Sequence, residues 1–305
     1  SDFWIRGIGT FGVNSGALVL IDGLEGKLNE IDPADIESFS VLKDASATAI
    51  YGVRGANGVL LITTKRGENE KLKITARANL TVSYLKRMPE YLDAYNYALM
   101  ANEATTVSGM TQKFSDMELD LIKYGLDPDL YPNVNWQKEI LNRTSLQQTY
   151  YTSAQGGGSI ARYFISLGMS LESAAYKQDK GSKYNTNVGY DTYNYRTNLD
   201  VNVTKTTSVY FGVNGYISKN NMPGMANTNW LWSSQAKLTP LTVPTQYSNG
   251  ALPAYGKDDQ ISPYVLLNHT GMATEGNYKA MATLAINQDL NFLTPGLTAR
   301  IQGAF

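Results

Sequence analysis

Residues 18–67 read LVLIDGLEGKLNEIDPADIESFSVLKDASATAIYGVRGANGVLLITTKRG. Leu18 to Ile21 form an apolar run stopped by Asp22 and Gly23, the pattern of a buried strand entering a turn. Asp32 can cap a short helix with Pro33 at its first position, where a missing N–H costs nothing. Phe39 and Val41 alternate with Ser38 and Ser40, so Glu37 to Lys43 reads as a half-buried strand. Asp44 can cap a helical turn through Ile50, with Gly52 supplying a left-handed exit. Arg54 to Gly58 is a tight glycine-rich turn that feeds Val59 to Thr64, a further buried strand. The sum is a dense α/β unit of roughly sixty residues, with too little apolar surface to stand alone, so it is expected to pack inside something larger.

Beyond residue 70 the pattern turns to long alternation. Tyr163, Ile165, Leu167, Met169 and Leu171 share one face, with Ser166, Gly168 and Ser170 on the other. Residues 74–84 repeat the pattern, and in 193–203 Tyr193, Tyr195, Leu199, Val201 and Val203 oppose Asn194, Arg196, Asn198, Asp200 and Asn202. Val209, Phe211, Val213 and Ile217 continue it, as do Leu284 and Ile286, and from Leu297 onward Arg300 and Gln302 hold the polar side. Charges keep to one face. An Arg facing lipid near the bilayer midplane costs about 2–4 kcal/mol, so a membrane barrel requires such one-sidedness. A soluble antiparallel sheet alternates in the same way, and connection lengths separate the two. Strands at 73–85, 146–156, 160–176, 190–203, 207–220, 279–292 and 296–305 leave links that alternate between short (157–159, 204–206, 293–295) and long (86–145, 177–189, 221–278). Outer-membrane barrels place short turns on the periplasmic side and long loops outside, which makes the three long links extracellular. Within them, Tyr91 to Ala104 and Asp116 to Lys123 have helical spacing. Seven strands do not close a barrel, and an open edge in lipid leaves backbone groups unpaired at several kcal/mol each, so further strands are expected.

The order Ile21-Asp22-Gly23, then DIES at 35–38, VLKDASATAIYG at 41–52, RGANGV at 54–59 and ITTK at 62–65 resembles the plug of the SusC/RagA group of TonB-dependent transporters. YPNVNWQKEIL (131–141), ARYFISLGMSLESA (161–174) and YNYRTNLDVNVTKTT (193–207) resemble stretches of the barrel in that group. The resemblance implies an all-β transmembrane barrel of about 22 antiparallel strands with an α/β plug in its lumen. Residues 1–70 would then be the C-terminal part of the plug and 71–305 the first strands of the barrel. Since Ser1 to Gly7 reads as the middle of a plug, the chain is expected to be an internal fragment. The resemblance further implies active import of a nutrient oligomer, glycan before peptide, under a SusD-like surface lipoprotein and driven by TonB, with no catalysis. Two alternatives stay open: a siderophore or cobalamin receptor of the same plugged kind, and a soluble β-rich carbohydrate-binding domain.

Composition fits this reading. The chain has 305 residues, a net charge of −1, one His and no Cys, which removes thiolate metal sites and cysteine nucleophiles and gives nucleic acid no basic face. No apolar run approaches the roughly 18 residues of a transmembrane helix. Gly7 to Gly12 satisfies GxGxxG, yet a strand follows where a dinucleotide fold opens a helix, so no cofactor is expected. His269 stands in a polar loop and reads as a surface residue, and Asp22, Asp44 and Asp200 each have a turn, cap or lumen explanation in place of a glycosidase pair. As binding candidates, Trp230 and Trp232 of the third loop, with Asn14, suit stacking on and hydrogen bonding to substrate. Arg54 and Arg66 are the candidate polar ties between plug and wall, because a removable plug needs ion pairs and water more than a dry interface. No catalytic or metal site is expected.

Overall fold

In the computed structural model, the residues described are 17–42, 51–55, 57–179, 181–183, 188–225, 229–253 and 262–305. The 44–50 helix, Asn14 and the 7–12 glycine motif lie outside them.

The N-terminal unit is a four-stranded sheet in the order β2-β1-β4-β3, formed by β1 (Leu18–Ile21), β2 (Leu24–Glu25), β3 (Ile36–Leu42) and β4 (Val59–Thr64). β1 and β4 are parallel neighbours at its centre. Their uninterrupted apolar runs cover both faces: Leu20 and Val59 form one core, and Ile21, Leu60 and Ile62 with Ile31 the other. Asp22 at φ +51° and Gly23 at φ +86° make the left-handed turn between β1 and β2. Asp32 accepts from the Ala34 N–H and caps a single 3₁₀ turn, Pro33–Asp35. Gly52, at φ +59°, is left-handed as its sequence context predicts. Phe39, on the edge strand β3, departs from the half-buried expectation: it is 69% exposed.

The second unit is a seven-stranded antiparallel meander in sequence order: β5 (Lys73–Tyr84), β6 (Thr144–Gly157), β7 (Ala161–Ser173), β8 (Gly189–Asn202), β9 (Thr207–Pro223), β10 (Met272–Asp289) and β11 (Thr298–Ala304). Its faces follow the alternation. Ile165, Leu167, Phe211, Leu284 and Ile286 are exposed outward, while Phe164, Ser166, Arg196, Asn198, Tyr210 and Ala285 are buried on the face that the first unit covers. β9 and β10 pair over their full length, from Met272–Pro223 to Gln288–Thr207, so β10 starts seven residues before the expected 279. Its first half, with Glu275, Asn277 and Lys279, has no apolar alternation, and backbone pairing continues where that signal is silent.

The long loops gather over one end of the sheet as a cap. The first holds α1 (Ala94–Val107), α2 (Asp116–Tyr124) and α3 (Trp136–Ile140), and the third holds α4 (Asn229–Lys237) and α5 (Pro263–Asn268). α1 begins three residues later than its spacing suggests because the Asp93 carboxylate accepts from the Asn96 N–H and caps it. α2 has a Ser115–Glu118 capping box and a Gly125 left-handed stop. Ile140, Leu141, Leu231, Leu266 and Leu267 form a dry core joining the two loops, with Tyr176 of the second loop against it.

Candidate functional site

The site with the densest chemistry is where the small sheet meets the meander. β8 projects Arg196, Asn198 and Asp200 to that face at a spacing of two, and each reaches the small unit. Arg196 is central. Its guanidinium lies 3.4 Å from Asp35 and 3.8 Å from Asp22, with side-chain exposures of 6%, 3% and 10% for the three. Asp22 is aimed there by its left-handed turn, and the Thr64 N–H and hydroxyl donate to its carboxylate at 3.0 and 2.6 Å. Asp35 ends the 3₁₀ turn that Asp32 caps, and the Tyr151 hydroxyl of β6 donates to it at 2.9 Å. Burial pushes the Asp35 carboxyl above the usual range, against hydrogen bonds from Ser166 and Tyr151 and the charge of Arg196. Nε of Arg196 stands at ion-pair distance from Asp35 without hydrogen-bond alignment, so this contact is chiefly one of charge.

Two residues along β8, the buried Asn198 donates to the Lys65 carbonyl at 2.6 Å and the Thr64 hydroxyl at 3.2 Å, and accepts from the Tyr210 hydroxyl at 2.8 Å. Asp200 follows, 3.3 Å from Arg66, whose guanidinium also stacks 3.6 Å above the Tyr210 ring. Tyr210 is the β9 residue opposite Asp200, so strand register assembles this triplet. Glu30 pairs with Lys279 of β10 at 2.5 Å, and Gln302 of β11 donates to the Asp22 carbonyl. Close approach is built in at two glycines. A Cβ on Gly168 would lie 2.5 Å from the Asp32 carboxylate, and one on Gly67 would lie 2.2 Å from the Tyr163 nitrogen.

The sequence candidates fall in different places. Arg66 lies on the meander face as described, whereas Arg54 pairs with Glu25 of its own unit at 2.5 Å, both well exposed, and touches no described strand of the meander. Among the described residues its ion pair is therefore within the small unit. Trp230 and Trp232 are half-exposed on α4 in the cap, far from the β8 contacts in the fold, and Asn14 lies outside the described residues. His269 is less superficial than its context suggests: it sits 3.4 Å from Asp179, which the Tyr264 hydroxyl also reaches. Sequence reasoning missed Arg196, Asp35, Tyr151 and Tyr210. The available signal was Arg196 itself, the one cation on the polar face of β8. Among the described residues no cluster suited to a metal occurs.

Comparison with known proteins agrees across both units. The TonB-dependent Receptor Plug Domain family matches residues 1–59. TonB-dependent receptor P3 of Formosa agariphila is 32% identical over 211 residues, covering 69% of this chain and 18% of that protein. TonB-dependent receptor SusC of Bacteroides thetaiotaomicron is 32% identical over 212 residues, covering 65% and 19%. The solved structure of the RagAB peptide importer in its closed-closed state superposes with a TM-score of 0.70 at 21% identity, covering 99% of this chain and 35% of that one. The chain thus spans about a fifth of the length of the curated relatives it matches. Alignments of over 200 residues cannot be held by the plug alone and must run on into the meander. The chain therefore belongs to the SusC/RagA group of TonB-dependent receptors, β-barrel proteins of the bacterial outer membrane.

Proposed function

We propose that the protein to which this chain belongs imports a nutrient oligomer across the outer membrane, through a barrel whose plug is held by the β8 contacts and released by the pull of TonB. The observation that supports this most is the chemistry of those contacts. An apolar interface would have to be re-exposed to water when the plug moves, at about 25 cal/mol per Å². Charged and amide groups exchange protein partners for water at a net of about 0.5–1.5 kcal/mol per neutral hydrogen bond. A plug seated on Arg196, Asn198 and Arg66 is accordingly firm at rest and separable under force.

Substrate enters from the capped end, and a SusD-like lipoprotein closes over the loops. On this reading the groups hold the plug and take no part in bond chemistry: Asp22 and Asp35 of the plug meet Arg196 of the wall, and Arg66 of the plug meets Asp200 of the wall. For the cargo, a glycan is the reading that Trp230 and Trp232 favour, as half-exposed indoles on one helix. A peptide is the second reading, favoured by the structural likeness to a protein described as a peptide importer.

A crosslinking experiment tests the moving plug. This chain has no cysteine, so in a receptor freed of cysteine elsewhere Glu30→Cys with Lys279→Cys gives one addressable thiol pair between the two units without removing Arg196. Bridging it with a short bis-maleimide in intact cells should abolish TonB-dependent uptake while either single variant still transports. Undiminished uptake in the bridged protein would refute plug movement at this interface.

A further inference from the structure

We propose that the outward face of the meander binds a membrane lipid whose headgroup carries both an ammonium and a phosphate, with the headgroup near the capped end and an acyl chain against the wall below. The inference is separate from import and rests on the outer-membrane setting of the barrel. Strand register builds the site in levels, because the side chains of one face form rows across the strands, two residues apart. Ala78, Tyr150, Met169 and Tyr193 pair into one outward row, and Ala76, Thr152, Leu167 and Tyr195 into the next row away from the cap. Between these rows lies a recess of about 680 Å³ with apolar walls. Ala76 and Ala78 open it at β5, beside the bulkier Tyr150, Met169 and Tyr193 of the neighbouring strands.

One row closer to the cap stand Gln148, Leu171 and Asp191, which β9 continues with Lys219. A second recess, of about 330 Å³, opens there beside Leu171, Asp191 and Asn221. The Tyr150 hydroxyl donates to Gln148 Oε1 at 2.8 Å and ties the two levels together. From Leu167 to Leu171 is about 13 Å along a strand, which at a tilt of about 45° gives about 9 Å of depth. Half of the hydrocarbon core is about 15 Å, so one lipid reaches both recesses.

The charges select the headgroup. Asp191 and Lys219 face each other directly across β8 and β9, and neither makes an ion pair among the described residues. At the edge of the lipid band an outward charge costs only about 0–1 kcal/mol, so both stay ionised and open to a ligand. Glu172 also lines the upper recess, but alternation turns it to the lumen face. A purely anionic headgroup would meet Asp191, a purely cationic one would meet Lys219, and a neutral sugar would answer neither. An ammonium on Asp191 with a phosphate on Lys219 answers both.

The test uses the full-length receptor with its native partners in detergent. The probes are phosphatidylethanolamine and phosphatidylglycerol with identical acyl chains, and native mass spectrometry counts the lipid retained after the detergent is stripped. The ethanolamine lipid should be retained about tenfold more than the glycerol lipid, the scale of one hydrogen bond to a charged group. Asp191→Asn should erase that preference, and exchanging the charges, Asp191→Lys with Lys219→Asp, should restore it. Ala78→Phe, which fills the apolar recess, should lower retention of both lipids severalfold. Equal retention of the two lipids by the wild-type protein would mean adventitious lipid only and would overturn the proposal. A preference that survives Asp191→Asn would place the lipid elsewhere and overturn it too. If no lipid is retained and the assembly falls to half its mass in Ala78→Phe, this face is a contact between two copies of the receptor and the lipid site is refuted.

Discussion

The plug–wall interface and the loop cap are both places where segments distant in sequence meet, and they are built from opposite materials. At the wall, Arg196, Asn198 and Asp200 hold Asp22, Asp35, Lys65 and Arg66 through charges and amides. In the cap, Leu231, Leu266 and Leu267 pack against Ile140 and Leu141 as an apolar core. On the proposed import reading, the difference follows from what each contact has to withstand. Loops that keep one arrangement gain from a non-directional, water-excluding core. A plug that parts from its wall is better held by groups that water can satisfy once it leaves.

The largest effect expected from breaking this contrast is at Arg196. Removing one partner of a buried ion pair costs about 3–5 kcal/mol, because the charges left behind stay desolvated. Arg196→Leu should strand Asp22 and Asp35 and raise the passive entry of a small antibiotic; entry at the wild-type level would mean that the charges do not seat the plug. Adding Asp22→Asn and Asp35→Asn should recover part of the seal, since no unpaired charge then remains. Next comes Leu231→Ala, where loss of a fully buried side chain costs about 2–5 kcal/mol. That change should loosen the cap, seen as faster protease nicking of the loops, and leave antibiotic entry alone. A leak in this variant would show that cap and plug are not independent.

Asn198→Ala should be milder, at about 1–3 kcal/mol for the buried partners it leaves unsatisfied, chiefly the Lys65 carbonyl and the Tyr210 hydroxyl. It should appear as a small rise in antibiotic entry that adds little to the Arg196 variant, since both residues seat the same plug edge. The smallest expectation is for Arg54→Ala. Its pair with Glu25 is exposed on the plug surface, where such pairs contribute little, so neither leak nor cap protection should change. A pronounced leak there would move the latch away from β8.

Much of the fold was legible because it rests on local rules. The turn at Asp22-Gly23, the cap at Asp32-Pro33 and the two-residue alternation from residue 163 onward report backbone conformation and side-chain face, which neighbours in sequence set between them. The wall's short and long links were equally plain. β10 was less so: Glu275 to Lys279 carries no alternation, and only pairing with β9 shows it to be strand.

The latch was half legible. That Arg196, Asn198 and Asp200 share one face follows from their spacing alone, whereas Arg66 was a candidate only through what a removable plug needs. Which carboxylates they meet does not. Asp22 and Asp35 are separated from Arg196 by more than 150 residues of chain, and from sequence Arg54 looks as good a tie as Arg66, although the structure pairs Arg54 with Glu25 of its own unit. Local patterns determine which face a side chain takes, because the backbone repeats every two residues in a strand. Only the seating of the plug in the wall decides which partner it finds, because a charge is satisfied by whatever tertiary packing brings within about 4 Å of it.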